Sequence, residues 1–349
     1  MDGSKLGWAI AGTGAIARRF AADMRHAKRG RVVAVASATP ERAARLAAAI
    51  DPAAASGDLD AVLRDPRVGA VYVAGRNEDH LPQTLRCLAA GKPVLIEKPL
   101  ATTAADAERI RHAADDTRLL AMEAMWMRFT PGMRRLKSLV DEGSVGTVRA
   151  VDASLAFRND APQASPLLDL GVYPLSLAVQ LLGSPERIAA AGNVMDAGVA
   201  LSYRNAIASI RCGFGSTGPN VLAITGDRGT LATDAPFLSP SLLSLRPAPP
   251  HGTERLEEDE GMPPLGRLPW LASAKSILRP LRARRIQTLF LGTGLQYQAD
   301  HFAECLAAGH ADSPVMPLAE SIEVIRIVEA AEAAMANSAL FEKRQRLEA

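Results

Sequence analysis

The sequence predicts two folds in succession: an α/β domain with a doubly wound parallel sheet, then an α+β domain whose sheet is mainly antiparallel. Three observations carry this. The first 125 residues alternate short apolar runs with segments of helical period, the signature of βαβ units. A glycine-rich turn, AGTGAIA, directly follows the first apolar run and opens the first helix. Beyond about residue 145 the chain changes to short runs separated by Asn, Gly and Asp turn signals, as in an antiparallel meander. The division is therefore 1–125 and 126–349, with 236–292 a Pro-rich, irregular insertion or flap.

The elements follow in order. KLGWAIAG (5–12) reads as a buried strand, AIARRFAADMRHA (15–27) as a helix, RVVAVAS (31–37) as the second strand, and PERAARLAAAI (40–50) as a helix opened by Pro at its first position. GAVYVAG (69–75), a helix over 78–90 and KPVLIEKP (92–99) repeat the unit. TVRAVDASLAF (147–157) is a long strand; a helix containing Tyr173 follows, then the strands GVALSYRN, AIASIRCGFG, NVLAITGDRG and TLAT, and a closing helix over 317–337.

Bulk properties narrow the function. The chain has 349 residues, 48% hydrophobic and 22% charged, more than one ordinary core holds and typical of a globular protein. A net charge of +2 demands no acidic partner, so nucleic acid is not expected. No apolar stretch reaches the ~20 residues of a bilayer span, and the N-terminus lacks a secretory h-region. The three cysteines, Cys87, Cys212 and Cys305, are scattered, which argues against a disulfide framework or a metal site and points to the cytoplasm. A basic run (273–285) reads as a solvated face, with contact to a membrane or an acidic partner as the alternative, and an acidic cluster (257–260) belongs to the insertion.

Four stretches carry chemistry. In AGTGAIA, Gly12, Gly14 and Ala17 form G-x-G-x-x-A at a strand-to-helix turn, with Ala15 and Ile16 between them. Glycine lets the backbone approach a pyrophosphate, and the helix N-terminus supplies N–H donors, so this is a Rossmann dinucleotide site. After the second strand stand Ser37, Thr39 and Arg42 with no acid at the strand tip. Hydroxyls and Arg suit a 2′-phosphate, so NADP is expected, with NAD as the alternative. Asn77, His80, Glu97 and Lys98 are counted with the cofactor site; Asn77 and His80 serve equally as helix-capping residues. Lys98, before Pro99, ends a parallel strand, where such folds bind ligands; a surface lysine in a turn is the plainer reading. Glu97 faces the other side of that strand. Finally, Asp169 and Tyr173 are one helical turn apart in LLDLGVYPLSLAVQLLG (167–183). A nearby ammonium lowers a phenol's pKa, so Lys98 beside Tyr173 makes a proton donor suited to a carbonyl receiving hydride. Taken singly, Tyr173 reads as well as a core residue and Asp169 as a helix cap.

Together, AGTGAIA, VYVAGRNEDHLPQTLRCLAAGKPVLIEKPLA, MEAMWMRFTPGMRRLKSLVDEGSVGTVRAV, LLDLGVYPLSLAVQLLG and YQADHFAECLAAG resemble the Gfo/Idh/MocA oxidoreductase family, in particular the branch with dimeric dihydrodiol dehydrogenase and glucose–fructose oxidoreductase. The resemblance implies an NAD(P) Rossmann domain and a large open-faced sheet that packs against another subunit in a homodimer or homotetramer. It also implies that Lys98 and Tyr173 are the catalytic pair with Asp169 beside them, and that substrates are sugars, cyclic polyols or diols. In many members His stands at the place of Tyr173. Trp126 and Arg128 are candidates to touch substrate; Trp126 serves equally as core, Glu123 and Arg158 are weaker candidates, and Met122, Met125 and Met127 read as packing. The chain departs from the family with Gly75-Arg76 in place of Thr-Pro, with QASPLL before Asp169, and with the Pro-rich insertion. A non-catalytic sensor of dinucleotide and sugar is the alternative of another class. A third reading keeps the enzyme but with a permanently bound cofactor; the few residues before the first strand speak against it.

Overall fold

The computed structural model describes residues 5–248 and 283–348. Its first sheet comprises β1 (Leu6–Ala11), β2 (Gly30–Ala36), β3 (Ala55–Gly57), β4 (Ala70–Val73), β5 (Val94–Glu97) and β6 (Ala121–Ala124), in the order β3-β2-β1-β4-β5-β6. All its pairings are parallel. The helices between them are α1 (Ala15–Asp23), α2 (Pro40–Ile50), α3 (Leu59–Leu63), α4 (His80–Ala89) and α5 (Ala104–Thr117). Both faces of the sheet are covered, so its strands are apolar at nearly every position. In β1, Trp8 and Ile10 join one core cluster while Ala9 and Ala11 join another. Strand order reverses between β1 and β4, and the crevice at such a switch point is where doubly wound sheets take their ligand.

The second sheet holds β7 (Val148–Ala156), β8 (Arg187–Gly192), β9 (Asp196–Ser202), β10 (Ile207–Gly213), β11 (Leu222–Gly226), β12 (Gly229–Thr233), β13 (Leu242–Pro247) and β14 (Arg284–Gln287). Its order, β14-β13-β12-β11-β7-β10-β9-β8, corrects the simple meander. β7 lies between β10 and β11, parallel to the first and antiparallel to the second. A long first strand with polar and apolar positions in alternation seats itself between two later hairpins, a non-local pairing that turn signals do not encode. The insertion is also less irregular than its composition suggests, since β13 and β14 at its flanks pair and extend the sheet edge. The acidic cluster 257–260 and most of the basic run 273–285 lie outside the described residues.

One face of this sheet is buried. In β10, Ala208, Ile210 and Cys212 point inward while Ile207, Ser209 and Arg211 point out. The inner face packs on α7 (Val172–Leu182) and on α9 (Leu318–Glu348), while α6 (Pro131–Asp141) and α8 (Leu295–Ala307) complete the domain. The helix α7 is buried on nearly every side, which explains its greasy sequence. The helix α9 belongs to both halves: Leu318, Ile322 and Ile325 close the core cluster on one face of the first sheet, whereas Val324, Ile327, Val328 and Ala331 enter the cluster shared with the second. Among the described residues no helix is long and apolar enough to cross a membrane.

Candidate active site

The glycine-rich turn does what its spacing requires. Gly12 has φ +133°, and a Cβ there would stand 2.4 Å from the Ala74 carbonyl oxygen, so only glycine fits. Gly14 caps α1, and a Cβ on it would meet nothing within 4 Å. It therefore faces open space, at a helix N-terminus whose N–H groups are free for an anion. That space is a cleft of about 500 Å³ bordered by Gly12, Gly14, Ser37, Thr39, Arg42 and Arg76. A second groove of about 470 Å³ adjoins it between α1 and α2, bordered by Gly14, Arg18, Arg42 and Arg45. A dinucleotide fits this cradle: glycine where a pyrophosphate must approach, hydroxyls and guanidinium groups beyond. Arg18 and Arg45 escaped the sequence reading, yet their spacing was a signal. Arg18 is one turn beyond Gly14, and Arg45 is one turn beyond Arg42.

The structure does not bring every expected residue to this cradle. Ala15 and Ile16 begin α1 beside it. Asn77 opens a 3-10 turn, Asn77–Asp79, whose N-cap is Arg76, and Asp79 stands at the N-cap of α4. His80 is 1% exposed and donates from Nδ1 to the Pro99 carbonyl at 2.8 Å, so it holds backbone and does not line the cleft. Burial lowers its pKa, which keeps it neutral. Glu97 is likewise interior. It accepts a hydrogen bond from the Tyr72 hydroxyl and one from the Lys98 amide at 3.1 Å, and burial raises its pKa to about 7.

Lys98 and Asp169, 71 positions apart, meet: the Lys98 Nζ donates to Asp169 Oδ1 at 2.6 Å and to its backbone carbonyl at 2.8 Å. The same nitrogen lies 5.2 Å from the centre of the Tyr173 ring. Burial disfavours the ammonium, but Tyr173 when ionised, together with the Asp169 carboxylate, more than offsets it, so the Lys98 pKa is raised. Trp126 donates from Nε1 to the Tyr173 hydroxyl at 3.3 Å. The indole is itself backed by Gly294, φ +110°, where a Cβ would crowd the ring at 3.3 Å. Gly294 is held there by Asp23 of α1, whose carboxylate accepts the amides of Thr293 at 3.0 Å and Leu295 at 2.9 Å.

Two expectations need correction. The Tyr173 pKa is raised, not lowered: burial outweighs the opposing Lys98 charge, because a phenolate loses more hydration than one ammonium returns. Arg128 does not reach a substrate. Its side chain is 0% exposed and paired with Glu320 at 2.5 Å, and it donates to the carbonyls of Val315 at 3.0 Å and of Ser176. A buried guanidinium needs partners; α7 supplies Ser176, α9 supplies Glu320 and the preceding loop supplies Val315, while Nε has none among the described residues. The turn carrying Asp169 also differs from an ordinary helix. Leu167–Gly171 is π-helical, a wider coil that recurs at functional sites. Of the weaker candidates, Arg158 is a solvent-facing partner of Asp160, Glu123 is buried at 1% exposure, and Met122, Met125 and Met127 are core. No cluster of metal ligands occurs among the described residues.

With this geometry in view, the comparisons are consistent with one another. Residues 6–124 match the model of the oxidoreductase family with an NAD-binding Rossmann fold, and residues 133–232 match the GFO/IDH/MocA C-terminal domain. Among curated proteins, trans-1,2-dihydrobenzene-1,2-diol dehydrogenase of Mus musculus is 31% identical, over 95% of this chain and 97% of its own, and the Bos taurus protein of that name is 30% identical, over 93% and 95%. Among solved structures, an aldose–aldose oxidoreductase from Caulobacter crescentus superimposes with a TM-score of 0.78 at 23% identity, covering 96% of this chain and 98% of its own. A 3-ketoreductase from Actinomadura kijaniata, in complex with TDP-benzene and NADP, gives 0.74 at 23%, covering 95% and 98%. These structures share the fold; the matched family models and the near full-length identity with the dehydrogenases go further, and place the chain in the GFO/IDH/MocA family of NAD(P)-binding oxidoreductases.

Proposed function

We propose that the protein interconverts a secondary alcohol and a ketone on a diol, cyclic polyol or sugar, with NADP preferred to NAD. Tyr173 is the general acid and base and Lys98 its partner. The observation that carries this reading is the convergence of Lys98, Asp169 and Tyr173. A nicotinamide cofactor held by Gly12, Gly14, Ser37, Thr39 and Arg42 would supply the hydride; the protein handles the proton and the geometry. In reduction, the neutral Tyr173 phenol donates its proton to the carbonyl oxygen. In oxidation it takes the proton of the substrate hydroxyl, and the phenolate that forms is stabilised by the Lys98 ammonium and the Trp126 N–H. Asp169 holds the ammonium charged and in place. The dihydrodiol dehydrogenase relatives and the sugar oxidoreductase neighbour support diols and sugars as the substrate class. Ser37, Thr39 and Arg42 at the cradle, with Arg18 and Arg45 beside it, support the 2′-phosphate.

The test is the change in nicotinamide absorbance on mixing the protein with NADP(H) or NAD(H) and a panel of vicinal diols, cyclic polyols, aldoses and their ketones. Turnover with at least one member is expected, faster with the phosphorylated cofactor. Tight cofactor binding with no turnover across the panel would instead favour a sensor.

A further inference from the structure

We infer that Glu123 and His80 are positioning residues for Lys98: together with Glu97 they hold the backbone of the Lys98–Pro99–Leu100 turn and so set where the ammonium stands against Asp169 and Tyr173. This rests on the proposed role of Lys98. The ladders from β5 to its neighbours end at Ile96 on one side and Glu97 on the other, and Pro99 brings no N–H. Backbone groups beyond that point therefore have no sheet partner. Three side chains from three elements take them up in sequence: Glu97 of β5 accepts the Lys98 N–H at 3.1 Å, His80 of α4 donates to the Pro99 carbonyl at 2.8 Å, and Glu123 of β6 accepts the Leu100 N–H at 2.9 Å.

All three side chains are buried, at 4%, 1% and 1% exposure. Two carboxyl groups beneath one turn are costly where an apolar residue would pack without penalty. Their geometry gives the reason. Each grips main chain within two residues of the lysine, from a position buried below the turn. Lys98 reaches Asp169 across the joint between the two sheets, so a small rotation of its Cα–Cβ bond is magnified at Nζ. A misplacement of about 1 Å at a reacting group costs on the order of 100-fold in rate.

The experiment compares variants that keep or remove each hydrogen bond. Glu123→Gln retains an acceptor for Leu100, and His80→Asn retains an amide donor near the place of Nδ1; Glu123→Leu and His80→Leu retain neither. In the full-length protein with saturating cofactor, the Leu variants are expected to lose roughly 100-fold in kcat, with cofactor Kd unchanged within about twofold, and the Gln and Asn variants to recover most of that loss. Leu variants that turn over normally would overturn the inference, as would Gln and Asn variants no better than Leu. Should Glu123→Leu fail to fold, His80→Leu with its Asn counterpart carries the test. Lys98→Met, measured alongside, separates the two levels. If it keeps wild-type kcat, the proposed catalytic role itself is wrong; if it loses turnover while the Leu variants do not, only the positioning role falls.

Discussion

In the proposed mechanism, a phenol sealed beside an ammonium keeps its proton until the substrate oxygen takes it. Because burial raises the Tyr173 pKa despite Lys98, reduction should hold its rate from neutral into mildly alkaline solution, whereas oxidation should speed up as pH rises toward the phenol's pKa. Tyr173→Phe keeps the ring and the packing; kcat is expected to fall by about 100-fold or more while cofactor Kd, read by fluorescence titration, stays put. At the cradle, Arg42 and Arg45 stand in no ion pair among the described residues. Charge reversal at Arg45 should raise the KM for NADP about tenfold or more and leave that for NAD nearly unchanged, since a charge-assisted hydrogen bond contributes about 1.5–3 kcal/mol. Equal effects on both cofactors would remove Arg45 from 2′-phosphate recognition. At this scale the sequence was readable where one residue type has one use, as at Gly12. It misled at Arg128, whose partner Glu320 lies 192 positions away, and at Tyr173, where proximity to a charge was legible but the desolvation opposing it was not.

The elements show how local signals succeed and fail. The helix α2 begins at Pro40 and ends at Ile50 as its sequence states, because capping and apolar period are both local. The place of β7 between two later strands was hidden, because it depends on which edges remain free after the hairpins form. Asp169 and Tyr173 do reach one site, but through a π-helical turn and not the ordinary coil that spacing suggests. The helix α8 carries a pH-sensitive joint. His301 bonds to the Ser313 hydroxyl at 2.9 Å and packs against the Phe129 ring. Burial, helped by the Arg134 charge, lowers its pKa from 6.5 to about 4. The unfolded chain binds this proton first, so the stability held above pH 6.5 is lost as pH falls toward about 4. His301→Gln, which keeps a partner for Ser313, should flatten the fall of Tm across that window. An unchanged slope would show that other groups control acid unfolding.

For the whole molecule, the outer face of the second sheet carries no covering element among the described residues that line it. Its shallow hollow of about 880 Å³ is walled by small residues such as Ala200, Ser209 and Ala223, with Ile207 and Val221 exposed nearby at 46% and 40%. Apolar surface of this kind marks an association site, so self-association of two copies through this face is the expected outcome in solution. Ala223→Arg should halve the mass measured by sedimentation without altering the fold; a native mass already equal to one chain, or a mutant mass unchanged, would refute the packing. The open face was legible only through resemblance, since alternation along β9 and β10 shows that one side is wet but not what covers it.

The span of α9 across both halves carries a consequence for synthesis. The first sheet is complete by residue 124, yet the apolar patch that Leu318, Ile322 and Ile325 close stays bare until those residues leave the ribosome. A nascent chain stalled before them would show that patch to chaperones, and release would come only when the last cover slides home.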